Sequence, residues 1–245
     1  MDARRLLKEY AERYENRDFL IGDPSWFMHQ VSGSDNQEAM AFIASCLSYG
    51  SRQQFMKKIQ LLLDWSGGEV YEWISSGSFA DMFRPGDTRC FYRLYTYSTM
   101  CDFLIAYQRL LLKYHRIGDY LRHERVADGF TAIEMICRFF SSQGISVVVP
   151  KDTQSACKRV CMFLRWMVRD NSPVDLGLWA DFIDKRTLII PMDTHVMQQA
   201  VRLGLIKSKT ATMSAARRLT ASLSESFPDD PLKGDFALFG YGVMS

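Results

Sequence analysis

Residues 155–169 read Ser155-Ala156-Cys157-Lys158-Arg159-Val160-Cys161-Met162-Phe163-Leu164-Arg165-Trp166-Met167-Val168-Arg169. Val160, Phe163, Leu164 and Met167 recur at i, i+3, i+4 and i+7, the spacing of one apolar stripe on a helix. Thr153 and Ser155 stand before the stripe as candidate caps, which puts Lys158 in the first turn or two. Its ammonium then projects near a helix start, not from the middle of a solvated face. Further on, Leu188, Ile189 and Ile190 form an extended apolar run that Pro191 ends. Asp193 follows, a natural N-cap for a second helix that begins at about Thr194 and runs to Leu205.

Working outward, the rest of the chain reads as helices joined by turns. The pattern predicts an amphipathic helix over 2–15, carrying Leu6, Leu7, Tyr10 and Tyr14, then a loop from Phe19 to His29. Asp35 or Asn36 caps a helix running to about Tyr49, with Met40, Ile43, Ala44 and Leu47 inward. Gly50-Ser51 breaks it, and another helix follows through Leu63. A short helix and turn occupy 68–83, a long helix 90–114, a turn 117–123 and a helix 128–141. Tyr92, Tyr95, Tyr97 and Tyr107 read as core residues. Val147-Val148-Val149 has no partner strand and reads as an extended linker. After the stop at Asp170-Asn171-Ser172-Pro173 come a short helix from Asp175 to Ile183, a helix from Thr210 to Leu223 and a last helix beyond Pro231. The fold class is all-α. The length allows one domain of two helical lobes, 36–150 as one and 151–245 with 1–35 as the other, or two closely packed domains.

Composition narrows the function classes. The net charge of +2 is too small to identify a nucleic-acid partner by itself. Its distribution says more. Lys151 to Arg218 holds twelve bases and six acids, a net of +6 against −4 elsewhere. That polarity suits one basic face toward DNA, or an uneven solvated surface. Cys46, Cys90, Cys101, Cys137, Cys157 and Cys161 lie in apolar stretches without paired zinc spacing, and no cysteine follows Cys161. Zinc and an iron–sulfur cluster are therefore not expected, and reduced core thiols in a cytoplasmic protein are. The opening Met1-Asp2-Ala3-Arg4-Arg5 is no signal peptide, and no apolar run has transmembrane length.

The segments around Lys158 and Asp193 together resemble the catalytic segment of the helix-hairpin-helix DNA glycosylases, the superfamily of endonuclease III and the 8-oxoguanine glycosylases. Lys158, in Cys157-Lys158-Arg159-Val160, matches that family's catalytic lysine. Asp193, in Pro191-Met192-Asp193-Thr194-His195-Val196, matches its catalytic aspartate, and Arg202-Leu203-Gly204-Leu205 continues the pattern. Two departures stand out. Where the family's hairpin reads like Leu-Pro-Gly-Val-Gly, this chain has Val149-Pro150-Lys151-Asp152-Thr153-Gln154. The spacing from lysine to aspartate is also longer than in the endonuclease III branch. That suggests the 8-oxoguanine branch or a divergent bacterial family on the same core.

The resemblance implies a two-lobe helix-hairpin-helix fold and a monomeric base-excision repair enzyme, cytoplasmic and nucleoid-associated when on DNA. Its partner would be damaged duplex DNA, with oxidised guanine the first substrate to test. Lys158 would attack the sugar C1′ and form a Schiff base, giving AP-lyase activity, while Asp193 would stabilise the cationic sugar. Lys151, Thr153, Ser155 and Arg159 would face the DNA backbone. Tyr49, Arg52 and Gln53, at a helix break resembling the family's wedge segment, would fill the gap left by a flipped base. Trp179, His195, Phe236 and Phe239 are the base-pocket candidates; His195 reads more readily as a helix-start hydrogen-bonding residue than as an acid or ligand. Two other readings stay open: a non-catalytic DNA-binding protein on the same scaffold, and a helical interaction module that binds no nucleic acid.

Overall fold

The computed structural model of the protein describes residues 3–208 and 210–244, so the predicted helix start at Asp2 and Lys209 of the basic segment lie outside the described residues. The fold is all-α apart from one short hairpin. The helices are α1 (Ala3–Tyr14), α2 (Ser34–Leu47), α3 (Arg52–Ser66), α4 (Val70–Ser75), α5 (Tyr97–Tyr114), α6 (Ile117–His123), α7 (Gly129–Ser142), α8 (Lys158–Val168), α9 (Thr194–Arg202), α10 (Met213–Ser224) and α11 (Lys233–Met244). The strands β1 (Cys90–Tyr92) and β2 (Tyr95–Thr96) pair antiparallel. The chain divides into two compact units. The first comprises Met1–Ile21, Ala127–Glu134 and Asp152–Ser245; the second comprises Gly22–Val126 and Met135–Lys151. The second unit thus begins at Gly22 and not at residue 36, and it does not contain 127–134.

In the second unit, α2 carries no single buried stripe. Every residue from Glu38 to Leu47 is buried, as expected of a helix with neighbours on all sides. Phe42 packs against Tyr107, Phe140 and Phe103 at ring separations of 5.0, 5.2 and 5.9 Å. The buried Glu38 carboxylate accepts from the N–H of Ile117 at 2.6 Å and so caps α6. Neither Asp35 nor Asn36 caps α2, which starts after Gly33. Asn36 instead donates to Ser32 O and Glu69 and accepts from Tyr71 N at 2.9 Å. The predicted helix over 90–114 begins only at Tyr97. Cys90-Phe91-Tyr92 and Tyr95-Thr96 are aromatic and β-branched, and they pair as strands. Thr96 then caps α5 through the N–H of Thr99 at 3.0 Å. Cys90 is therefore an exposed strand thiol, while the other five cysteines are buried. Residues 147–150 turn instead of extending.

In the first unit, α11 packs on α1 and α9. Its glycines make close approach possible. A Cβ at Gly240 would stand 2.2 Å from Cδ2 of Tyr14, and one at Gly242 would stand 2.4 Å from Nε2 of His195. The residues from Val160 to Val168 of α8 are all buried, so this helix is a core element and not a one-sided surface helix. The predicted helix from Asp175 to Ile183 is a run of turns. Its backbone is spent on α8: the N–H groups of Leu176 and Trp179 donate to Trp166 O and Met167 O at 2.8 and 2.7 Å.

The same unit holds a buried ion network. Arg165 bridges Asp175 (3.2 Å) and Asp235. Arg169 bonds Asp175, takes Asp230 with Nε and Nη2, and reaches Glu15 at 2.6 Å. Burial alone would discharge Arg169, but these carboxylates outweigh it and shift the guanidinium further upward. Both guanidiniums also lie over Phe236, at 4.7 and 5.2 Å from its ring centre. Two of the twelve bases of the 151–218 segment are thus core residues, neutralised in part by acids from outside it. Lys185 and Arg186 are paired as well, with Asp170 at 2.5 Å and Asp184 at 2.6 Å. The basic surface is smaller than the sequence count suggests.

Candidate active site

Lys158 is the first residue of α8, and Asp193 is the N-cap of α9. These two residues, 35 positions apart in the chain, meet: Lys158 Nζ stands 3.1 Å from Asp193 Oδ2. Each side chain keeps about a third of its surface open, 35% for the lysine and 39% for the aspartate. The carboxylate is fixed from its other oxygen, which accepts from the N–H of Val196 at 2.9 Å. Capping and pairing therefore use different oxygens and do not compete. Burial pushes the Asp193 carboxyl up, but the charge of Lys158 and the Val196 N–H outweigh it and hold the group below the ordinary aspartate value. Asp193 is a carboxylate at neutral pH.

The turn before Lys158 is made without glycine. Cys157, the N-cap of α8, takes φ 47° and ψ 36°, a left-handed conformation that strains a residue with a Cβ. Its thiol is held at 3.2 Å from Asp152 O, and its N–H donates to Ser155 Oγ at 3.4 Å. Thr153 and Ser155 do not cap α8, because the helix begins only at Lys158; no side chain caps it. Ser155 instead pairs with Thr212 in an isolated antiparallel bridge. Thr153 and Arg159 are half-buried and Ser155 is exposed. Burial pushes the neighbouring Cys161 thiol well up, so this sulfur is no competing nucleophile.

Of the base-pocket candidates, only His195 and Phe239 reach the surface. The His195 ring lies where a Cβ on Gly242 would be, so α11 borders the start of α9. Phe239 is half-buried and packs on Phe19 and Tyr14 at 5.0 and 6.0 Å. Trp179 and Phe236 are corrections. Trp179 is packed edge-on against Phe163 at 5.1 Å within the core, and Phe236 is enclosed by the two buried guanidiniums and Phe19. Neither offers a face on which a base could stack.

Tyr49, Arg52, Gln53 and Lys151 belong to the second unit. Arg52, Gln53 and Lys151 are exposed. Tyr49 is not a wedge: its ring packs on Tyr95 and Tyr92 at 5.1 and 5.2 Å, its hydroxyl accepts from Leu94 N, and its carbonyl accepts from the Tyr92 hydroxyl. Sequence reasoning missed Asp235, Arg165, Arg169, Asp175, Asp230 and Glu15. Arg165 and Arg169 do continue the Lys158 stripe at i+7 and i+11, a spacing that puts them on the lysine's own face of α8.

Among the described residues, no group of three His, Cys, Asp or Glu side chains could hold a metal ion, and no helix is long and apolar enough to cross a membrane. No curated protein matches the chain, and no solved structure does. A family model matches residues 23–244, nearly the whole length. The chain belongs to the DUF2400 family of proteins of unknown function.

Proposed function

We propose that this protein is a DNA base-excision glycosylase with AP-lyase activity, acting in the cytoplasm on damaged duplex DNA as a monomer. The observation that carries the reading is the 3.1 Å approach of Lys158 Nζ to an ionised, backbone-anchored Asp193. An amine must surrender a proton before it can attack a carbon, and Asp193 is the acceptor in contact with it. In the proposed reaction the target nucleotide is flipped from the stack. The Lys158 nitrogen forms a bond to C1′ as the bond from C1′ to the base breaks, and the base leaves with that electron pair and a proton. Opening of the sugar then gives a protonated Schiff base, from which β-elimination breaks the strand. The Asp193 charge stabilises the positive charge that develops on the sugar. Oxidised guanine is the first substrate to test. No zinc or iron–sulfur cluster enters this chemistry.

Asp193→Asn is the sharpest separation of chemistry from folding. Asparagine caps helices well, so the variant should fold and bind lesion DNA. It lacks the charge and the proton acceptor, and single-turnover excision should slow by about 100-fold or more. Normal excision would remove Asp193 from the mechanism. An unfolded variant would show that capping is its main role.

DNA affinity should fall steeply with salt, because each neutralised phosphate releases counterions. Lys151→Glu should weaken binding on any sequence. Filter binding across a salt series measures both, and salt-independent affinity would contradict the DNA reading. A binder without excision activity would show the salt dependence but no product, and an interaction module without nucleic acid would show neither.

A further inference from the structure

Several bases of the first unit are matched: Lys158, Arg165, Arg169, Lys185 and Arg186 all stand against carboxylates. One part of the second unit shows the reverse. Residues 49–58 and 88–97 carry five bases, Arg52, Lys57, Lys58, Arg89 and Arg93, and no acid. The two stretches are joined in space. Lys58 of α3 lies over the Phe91 ring of β1, 4.7 Å from its centre. Arg93, at the hairpin turn, lies over the Tyr49 ring at 5.5 Å. Its guanidinium rests against bare backbone, since a Cβ at Gly50 would stand 2.8 Å from Arg93 Nη1. The Tyr49 hydroxyl accepts from Leu94 N at 3.3 Å and its carbonyl accepts from the Tyr92 hydroxyl, so the turn is tied to the chain entering α3. Arg52 opens α3, two residues after Gly50, and is exposed. Arg89 is paired with Asp87 at 2.6 Å. Arg52, Lys57, Lys58 and Arg93 have no carboxylate partner among the described residues.

We propose that this face, the β1–β2 hairpin with the start of α3, is a contact surface for the phosphate backbone of duplex DNA. The choice of duplex DNA rests on the proposed base-excision function. Unpaired bases gathered on one face, with no acid among them, complement a polyanion. Lys58 and Arg93 are also held in place. A cation laid over a ring keeps its charge and its outward donors, while the ring limits the freedom it can lose on binding. Phosphate contacts position a duplex and carry no sequence information, so the surface should hold damaged and undamaged DNA alike. Leu94, 75% exposed at the tip of the turn, gives the same face one apolar side chain. A lipid surface would use that leucine, but one leucine is too little apolar surface to anchor a protein on a membrane.

The test is fluorescence anisotropy of an undamaged duplex titrated with the full-length protein across a salt series. Arg52→Gln, Lys58→Gln and Arg93→Gln together should lower the slope of log K against log salt by about 2.7, or about 0.9 for each lost phosphate contact. Arg52→Gln with Lys58→Gln leaves the hairpin turn untouched and should lower it by about 1.8, which carries the test if the triple variant does not fold. Leu94→Ser should leave affinity and slope at their wild-type values. A folded charge variant with the wild-type slope overturns the proposal. So does binding to phosphatidylserine vesicles that Leu94→Ser abolishes, which would make the face a membrane surface. Absence of DNA binding by the wild type overturns both this surface and the glycosylase reading. A reduced slope in a protein that excises no lesion would count for the surface and against the glycosylase. An unchanged slope beside normal adduct formation at Lys158 would do the opposite.

Discussion

Lys158→Gln should bind lesion DNA as the wild type does and form no covalent adduct with it. Glutamine keeps a polar end of similar reach but has no amine, so no nitrogen–carbon bond to C1′ can form or be reduced. The loss should be complete, because Lys158 is the amine that stands against Asp193, and the neighbouring Cys161 thiol is pushed well up by burial and is no substitute nucleophile. The fold should survive. Lys158 is the first residue of α8 and part exposed, and an ion pair of that exposure contributes at most about 1 kcal/mol. Binding isotherms and near-ultraviolet circular dichroism establish the controls. An adduct that persists in the variant would move the nucleophile elsewhere.

Arg169→Leu should be the most destabilising single change in the first unit. It fills much of the same volume but leaves Asp230 and Glu15 without their cation and removes one of the two that hold Asp175. Removing one partner of a buried ion pair costs about 3–5 kcal/mol, because the remaining charge stays buried and unpaired. Urea unfolding with a fitted midpoint measures it. Arg186→Leu is the contrast: its pair with Asp184 is exposed and screened by solvent, and the change should leave the urea midpoint nearly unmoved. If the two variants are equally stable, the network does not hold the unit together as described.

The two halves of the site were legible for different reasons. Lys158 could be placed near a helix start because an apolar stripe marks the helix, although the caps read at Thr153 and Ser155 do not form, and Asp193 because an acid before a helical run is a cap. The α8 stripe was incomplete, however. Arg165 and Arg169 look like a solvated basic edge in sequence, and only the four distant acids that meet them put them in the core. Those acids lie at positions 15, 175, 230 and 235, and periodicity holds no information about such pairings. Trp179 failed for a related reason: an aromatic near a site reads the same whether it faces a ligand or, as here, Phe163. The β1–β2 hairpin was absorbed into the following helix because its strands are short and its turn, Arg93-Leu94, contains no glycine. Cys157 gives no advance sign of its left-handed backbone, which is accompanied by bonds of its thiol and N–H to Asp152 and Ser155.

The central claim is that the Lys158 amine attacks a sugar carbon of damaged DNA. Borohydride reduction of the wild-type protein with a panel of damaged duplexes, followed by peptide mapping of any cross-linked species, tests it most directly. The account predicts a trapped adduct on at least one lesion, with oxidised guanine the first to examine, and the cross-link at Lys158. No adduct across the panel, or a cross-link mapped to another lysine, would contradict it.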